Sequence, residues 1–115
     1  ADKEVYSITE KGREYFRSLM EKYATTNIVI PLDFNLVISN LNKVPYSQAQ
    51  DYIRKIRERL IIGQKENDEC MRRYSEIPLV GKTIMEQQKV LYQSLLGWLD
   101  EFEKEYGNDR LNNSV

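Results

Sequence analysis

The chain has 115 residues, of which 30% are charged and 41% hydrophobic, and its formal net charge is −1 at pH 7. This length and composition are typical of one soluble globular domain or part of one, and they exclude a disordered chain. No apolar run approaches the roughly 20 residues that cross a bilayer, so we expect no membrane segment.

The residue types that most enzymes depend on are scarce. The chain has no histidine and a single cysteine, Cys70. Histidine-based triads and histidine-bound metals are therefore excluded, and no Gly-rich phosphate loop is present. One cysteine cannot form an intrachain disulfide, which fits a reducing cytoplasm. We expect no enzyme activity, no cofactor, no metal site and a cytoplasmic location.

The first segment predicts a short strand followed directly by a helix. Residues 5–8 have the pattern of a strand, and either Thr9, or Ser7 paired with Glu10, can cap the helix. A single strand has no evident partner in this sequence. The helix carries one apolar stripe at helical spacing, formed by Tyr15, Phe16, Leu19, Met20 and Tyr23.

A connector and a short helix come next. Residues 24–32 are rich in β-branched side chains and contain a proline, which predicts an extended segment. A short helix is expected over residues 33–42, with Phe34, Val37, Ile38 and Leu41 on its buried side.

Two long helices are predicted in the second half of the chain. A capping box of Ser47 and Gln50 starts the first, which extends to about Ser75 as the longest helix. Thr83 with Glu86 starts the second helix. That helix is expected to end at Gly107, and residues 108–115 are expected to form a disordered tail.

Apolar residues on both long helices recur at alternating intervals of four and three, which is typical of a coiled-coil seam. The short turn between them favours an antiparallel hairpin, in a register that places Gly63 opposite Leu95 and Asn67 opposite Leu91. The predicted seams are Ala49, Ile53, Ile56, Leu60, Gly63, Asn67, Cys70 and Tyr74 in the first helix, and Ile84, Gln88, Leu91, Leu95, Trp98 and Phe102 in the second.

The same register places unlike charges beside each other. A basic cluster in the first long helix would lie next to an acidic cluster near the end of the second, which weakens a nucleic-acid interpretation of the basic residues. The clusters are Arg54, Lys55, Arg57 and Arg59, and Asp100, Glu101, Glu103 and Glu105.

Three stretches carry a resemblance to a known family. YSITEKGRE (6–14) resembles the last wing strand and following helix of PadR-family transcriptional regulators. PLDFNLVISNLNKVP (31–45) and GWLDEFEKEYG (97–107) resemble their C-terminal, virulence-activator-like domain. The resemblance implies a parent protein in which a winged helix-turn-helix reads DNA and the helical C-terminal domain forms a homodimer.

On this basis the expected fold class is all-α: a long antiparallel helical hairpin plus shorter helices, with a residual wing strand at the N-terminus. Residues 1–25 would be the end of the winged helix-turn-helix domain, whose recognition helix is missing. Residues 26–107 would be the dimerisation and regulatory domain, with an effector-sensing role as a second hypothesis. A free-standing helical adaptor for another protein is the alternative.

Two candidate sites follow from these hypotheses. Trp98 is the candidate for a ligand pocket with Leu60, Gly63 and Gly97, although large aromatic residues more often serve as packing anchors, here on Leu60. The candidate homodimer interface combines apolar residues off the hairpin seam with most of the first helix's stripe; it consists of Tyr15, Phe16, Leu19, Tyr23, Tyr52, Tyr92, Leu96 and Leu99.

Overall fold

The computed structural model describes residues 9–113, which contain helices and no strand. The all-α class with a long helical hairpin is confirmed; the predicted wing strand and the Ser7 cap lie outside the described residues. The elements in chain order are α1 (Glu10–Thr25), α2 (Asn35–Ile38), a 3₁₀ turn (Leu41–Lys43), α3 (Tyr46–Arg73) and α4 (Leu79–Asn113). The chain divides into two compact units, Ala1–Leu32 and Asp33–Val115.

In the first unit, α1 begins where the sequence predicts it. Thr9 is extended, and its Oγ1 accepts a hydrogen bond from the Gly12 N–H at 3.1 Å. Glu10 lies in the first turn and Lys22 in the last, which suits the helix dipole. The helix ends at Thr25, and no residue of α1 is buried.

In the second unit, the predicted helix over residues 33–42 is broken into α2 and the 3₁₀ turn. The side chains of Ser39 and Asn40 both donate to the Leu36 carbonyl, at 3.1 and 2.6 Å. Short polar side chains that bond the local backbone in this way compete with helix continuation. The interruption turns the chain so that Leu41 becomes part of the core.

Prolines, rather than capping boxes, set the starts of both long helices. The Pro45 carbonyl accepts from the N–H groups of Gln48 and Ala49, and no side chain caps α3. Pro78 precedes α4 in the same manner. The predicted Ser47–Gln50 and Thr83–Glu86 boxes are therefore wrong, because both pairs lie inside helices. With 35 residues against 28, α4 and not α3 is the longest helix.

The end of α4 also differs from the prediction. The helix continues past Gly107 to Asn113, so the expected disordered tail is wrong for residues 108–113. No described glycine has a positive φ, so Gly107 does not end the helix. A Cβ atom there would lie 3.0 Å from the Tyr46 hydroxyl, which gives this glycine a packing role instead.

The core lies between α3, α4 and the 3₁₀ turn. On α3 the predicted seam is buried at Ala49, Ile53 and Leu60, but Tyr74 is exposed. On α4 the predicted seam is wrong at the exposed residues Ile84, Gln88 and Trp98, whereas Leu95 and Phe102 pack against the core. The register differs as well, because Gly63 faces Tyr92 and the Asn67 amide donates to the Met85 carbonyl at 3.0 Å. The buried residues are Leu41, Ala49, Ile53, Leu60, Leu99 and Tyr106.

The predicted charge pairing is observed for one basic residue. Arg57 forms ion pairs with Asp100 at 3.2 Å and Glu103 at 2.6 Å, across the hairpin. Arg54 and Lys55 instead pair with Asp51 within α3. The antiparallel arrangement of α3 and α4 is thus fixed partly by Arg57 at the end of the hairpin that holds the core.

Candidate functional site

The first candidate surface is the apolar stripe of α1. Tyr15 and Tyr23 are 68% and 70% exposed, Phe16 and Met20 are also exposed, and Leu19 is half-buried. Exposed large apolar residues that share one helix face are typical of an interaction surface. We call these five residues the α1 stripe; they include the predicted interface residues of this helix.

The second candidate surface is on α4, which has two adjacent apolar faces. One face contains Leu99 and Tyr106 and packs in the core. The other has the heptad spacing that the sequence analysis assigned to the hairpin seam. Its members are exposed or half-buried; we call them the α4 stripe, and they are Val80, Ile84, Gln88, Leu91 and Leu95.

Most of the α4 stripe lies in the part of the hairpin that has no core, whereas Leu95 packs against the core. No residue between Leu60 and Leu99 is buried. At the opposite end, α2 and the 3₁₀ turn cover the hairpin: Leu41 is buried there, and the Phe34 ring stacks on Trp98 with centroids 6.0 Å apart. Long helix pairs gain stability mainly by burying apolar faces. The end of the hairpin near the turn between α3 and α4 has no buried residue, so its apolar face lacks a packing partner.

The interface residues predicted on α3 and α4 belong to the packing of the chain itself. Leu99 is 0% exposed, so its assignment to a dimer interface is wrong. Tyr92 covers Gly63, Leu96 packs against the core, and Tyr52 lines a groove beside α2. Tyr92, Leu96 and Leu99 lie off the predicted seam because the observed seam is one residue further along α4.

The structure does not bring the four residues of the predicted ligand pocket together in any of the three grooves described within residues 9–113. Tyr92 fills the space beside Gly63, and Gly97 has nothing near its Cβ position. Trp98 stacks between Phe34 and Phe102, with centroid distances of 6.0 and 5.9 Å. Leu60 alone of the four predicted residues lines a groove that the structure does contain.

This groove lies between α2 and α3 and has a volume of about 280 Å³. Sequence reasoning missed it because its wall depends on where the break after α2 places Phe34 and Val37. The α3 residues that line the groove recur at intervals of three and four, so this face of α3 could have been identified from the sequence. The lining residues are Phe34, Val37, Tyr52, Lys55, Ile56, Arg59 and Leu60.

The two basic residues of the groove differ in their partners. The Lys55 ammonium pairs with Asp51 at 3.1 Å, and Arg59 forms no ion pair with any residue in the described part of the chain. Hydrogen bonds from Arg54 and then Lys55 hold the pKa of Asp51 below its ordinary value, so this carboxylate stays ionised at neutral pH.

Residues 9–113 contain neither a candidate metal cluster nor a candidate membrane-spanning helix. There, no cluster of three or more histidine, cysteine, aspartate or glutamate residues could hold a metal ion. None of the helices in that range combines the length and the apolar character needed to cross a bilayer.

The chain and its fold were compared with known proteins. No family model matches the sequence, and no curated protein or solved structure matches it significantly. The fold therefore defines the class only as an all-α protein with a long helical hairpin. The PadR resemblance stays a prediction.

Proposed function

We propose that this chain is the homodimerisation domain of a transcriptional regulator of the PadR type. The observation that carries the proposal is the absence of any buried residue between Leu60 and Leu99, along a hairpin that presents the apolar α4 stripe. At 1.5 Å per residue, α3 and α4 are roughly 42 and 52 Å long, more than their small core requires. A partner helix that covers the stripe would complete the packing.

The spacing of the α4 stripe suits pairing with another helix. Ile84, Gln88, Leu91 and Leu95 alternate at intervals of four and three, which is the spacing of a coiled-coil seam. Gln88 would lie among apolar neighbours in that seam, where one polar residue can fix the register at some cost in stability. Burying the apolar residues yields about 25 cal/mol per Å².

The absence of charge favours a second copy of this chain as the partner. A two-fold symmetric interface brings the same surface of both copies together, so a charge near the symmetry axis would meet its own copy. The stripe and the residues beside it, Thr83, Gln87 and Ser94, are uncharged. The charged residues of the same segment, Lys82, Glu86 and Lys89, lie on the other side of α4 by helical spacing.

The α1 stripe offers a second apolar surface to the dimer. In a PadR-type regulator, α1 would connect the DNA-reading domain to the dimer, and the two-fold axis would set the spacing of the two DNA half-sites. The alternative, an adaptor for a different protein, requires the same surfaces to stay open in the isolated chain. The two hypotheses therefore predict different masses in solution.

A matched pair of variants tests the proposed surface. Ile84 and Val90 are 59% and 57% exposed on different sides of α4. We expect Ile84→Glu to shift the chain to a monomer in sedimentation velocity at tens of micromolar, and Val90→Glu to leave it dimeric. Both variants should keep their helical circular dichroism. Equal masses for the two variants would contradict the proposed surface.

A further inference from the structure

We propose that the groove between α2 and α3 binds an amphipathic monocarboxylate with an alkyl tail. The inference gives the effector-sensing hypothesis a site and a ligand class, yet it rests on the groove itself and not on dimerisation. Every lining residue lies between Phe34 and Leu60, within one compact unit.

The groove has an almost wholly apolar lining, to which two basic residues contribute. Val37, Ile56 and Leu60 provide aliphatic surface, and Lys55 and Arg59 come from the same helix, four residues apart. Apolar ligand sites commonly combine such a lining with one or two polar groups that orient the ligand. An apolar molecule with one negative charge matches both features.

Arg59 is the residue that would hold the charge. Its guanidinium forms no ion pair among the described residues, whereas Lys55 already pairs with Asp51 at 3.1 Å. A guanidinium presents two parallel N–H donors to a carboxylate and forms short, charge-assisted hydrogen bonds with it. Lys55 would then add attraction without being the main contact.

The rings at the groove favour an alkyl tail over a planar one. Phe34 already stacks on Trp98, and the Lys55 ammonium lies over the Tyr52 ring, 5.8 Å from its centroid. Each ring therefore already has one face in contact within the chain. Val37, Ile56 and Leu60 supply aliphatic surface that a straight alkyl chain can follow.

Trp98 provides a reporter for this site. It is the only tryptophan of the chain, and its ring stacks on Phe34, a wall of the groove. We expect decanoate, titrated into the full chain below its aggregation concentration, to change Trp98 fluorescence with saturation at one molecule per chain. Decanol should bind about tenfold more weakly, and decyltrimethylammonium should not bind.

Charge-removing variants locate the contact. Losing a charge-assisted hydrogen bond should weaken decanoate binding by about tenfold or more in Arg59→Gln, and by about threefold in Lys55→Gln. Arg73→Gln, the same change at an exposed position of α3 outside the groove, should leave the affinity unchanged. Equal weakening by Arg73→Gln, equal binding of decanol, or no saturable Trp98 response would each overturn the proposal.

Sedimentation of the same samples keeps this proposal separate from the dimer. Decanoate binding to a monomeric chain would support the groove while contradicting the proposed function. A dimer that gives no decanoate response would support the proposed function while contradicting the groove proposal.

Discussion

The ring of Tyr92 in α4 lies over Gly63 in α3 so closely that a Cβ atom at residue 63 would be 2.6 Å from Tyr92 Cε1. No real Cβ contact is that short, so the absence of a side chain at residue 63 is what lets the Tyr92 ring lie here. Gly97, in the same hairpin, has nothing within 4 Å of its Cβ position. The two glycines should therefore respond oppositely to the same substitution.

Gly97→Ala should stabilise the chain by about 1 kcal/mol, because alanine is the better helix former. Gly63→Ala gains the same propensity but must displace the Tyr92 ring, and overpacking costs about 1–3 kcal/mol, so we expect a net loss. Urea unfolding monitored by circular dichroism measures both. In a Tyr92→Leu background the loss should disappear. A stabilised Gly63→Ala variant would show that Tyr92 does not lie there.

Arg110 joins the end of α4 to the 3₁₀ turn. Its guanidinium donates to the carbonyls of Leu41 and Val44 at 3.3 and 3.2 Å and to the Tyr106 hydroxyl at 2.8 Å. An ammonium cannot span these acceptors, so Arg110→Lys should lower the free energy of unfolding by about 1–3 kcal/mol. Arg72→Lys, at an exposed position, should change it by less than about 0.5 kcal/mol. Similar losses in both variants would contradict this role.

The isolated chain should not bind a defined DNA duplex at physiological salt. Arg54, Lys55 and Arg57 each pair with a carboxylate, and the net charge is −1, so few cations are available to phosphates. A gel-shift titration at micromolar protein measures this, with a scrambled duplex as the control. Tight, sequence-dependent binding would contradict the assignment of the DNA-reading role to another part of a regulator.

The Asp51 carboxyl should titrate below its ordinary pKa, because Arg54 and then Lys55 donate hydrogen bonds to its ionised form. A lowered folded-state pKa means that these bonds contribute fully above the unfolded pKa and are lost as pH falls through the folded one. Carboxyl ¹³C NMR checks the shift. Arg54→Gln should raise the pKa of Asp51 and leave Glu69, whose pKa is lowered mainly by its bond with Arg72, unchanged. An unmoved Asp51 would refute the stated cause.

The hairpin could be predicted from the sequence because its turn is short and both helices are strongly periodic. The α3 seam was correct at Ala49, Ile53 and Leu60. The α4 seam was only partly correct, because this helix has two apolar faces one residue apart. Heptad spacing identifies a face but not its partner, so the stripe through Ile84 and Leu91 was assigned to α3.

The groove and the helix ends could not be predicted by the same reasoning. The groove exists because Ser39 and Asn40 bond the Leu36 carbonyl and interrupt a helix that periodicity alone would continue. Likewise, glycine commonly ends a helix, so Gly107 predicts the end of α4. The helix nevertheless continues past it, where Arg110 and Tyr46 make tertiary contacts. The first difference depends on local side-chain bonds to the backbone, and the second on contacts between residues distant in the sequence.

Sedimentation equilibrium of the unmodified chain decides whether the proposed dimer exists. The chain mass is 13.6 kDa, and we expect twice that value at tens of micromolar protein, because the α4 stripe requires a partner copy. The mass should not change when salt is raised, since the proposed interface carries no charge. A mass of 13.6 kDa across this concentration range would contradict the proposed dimer.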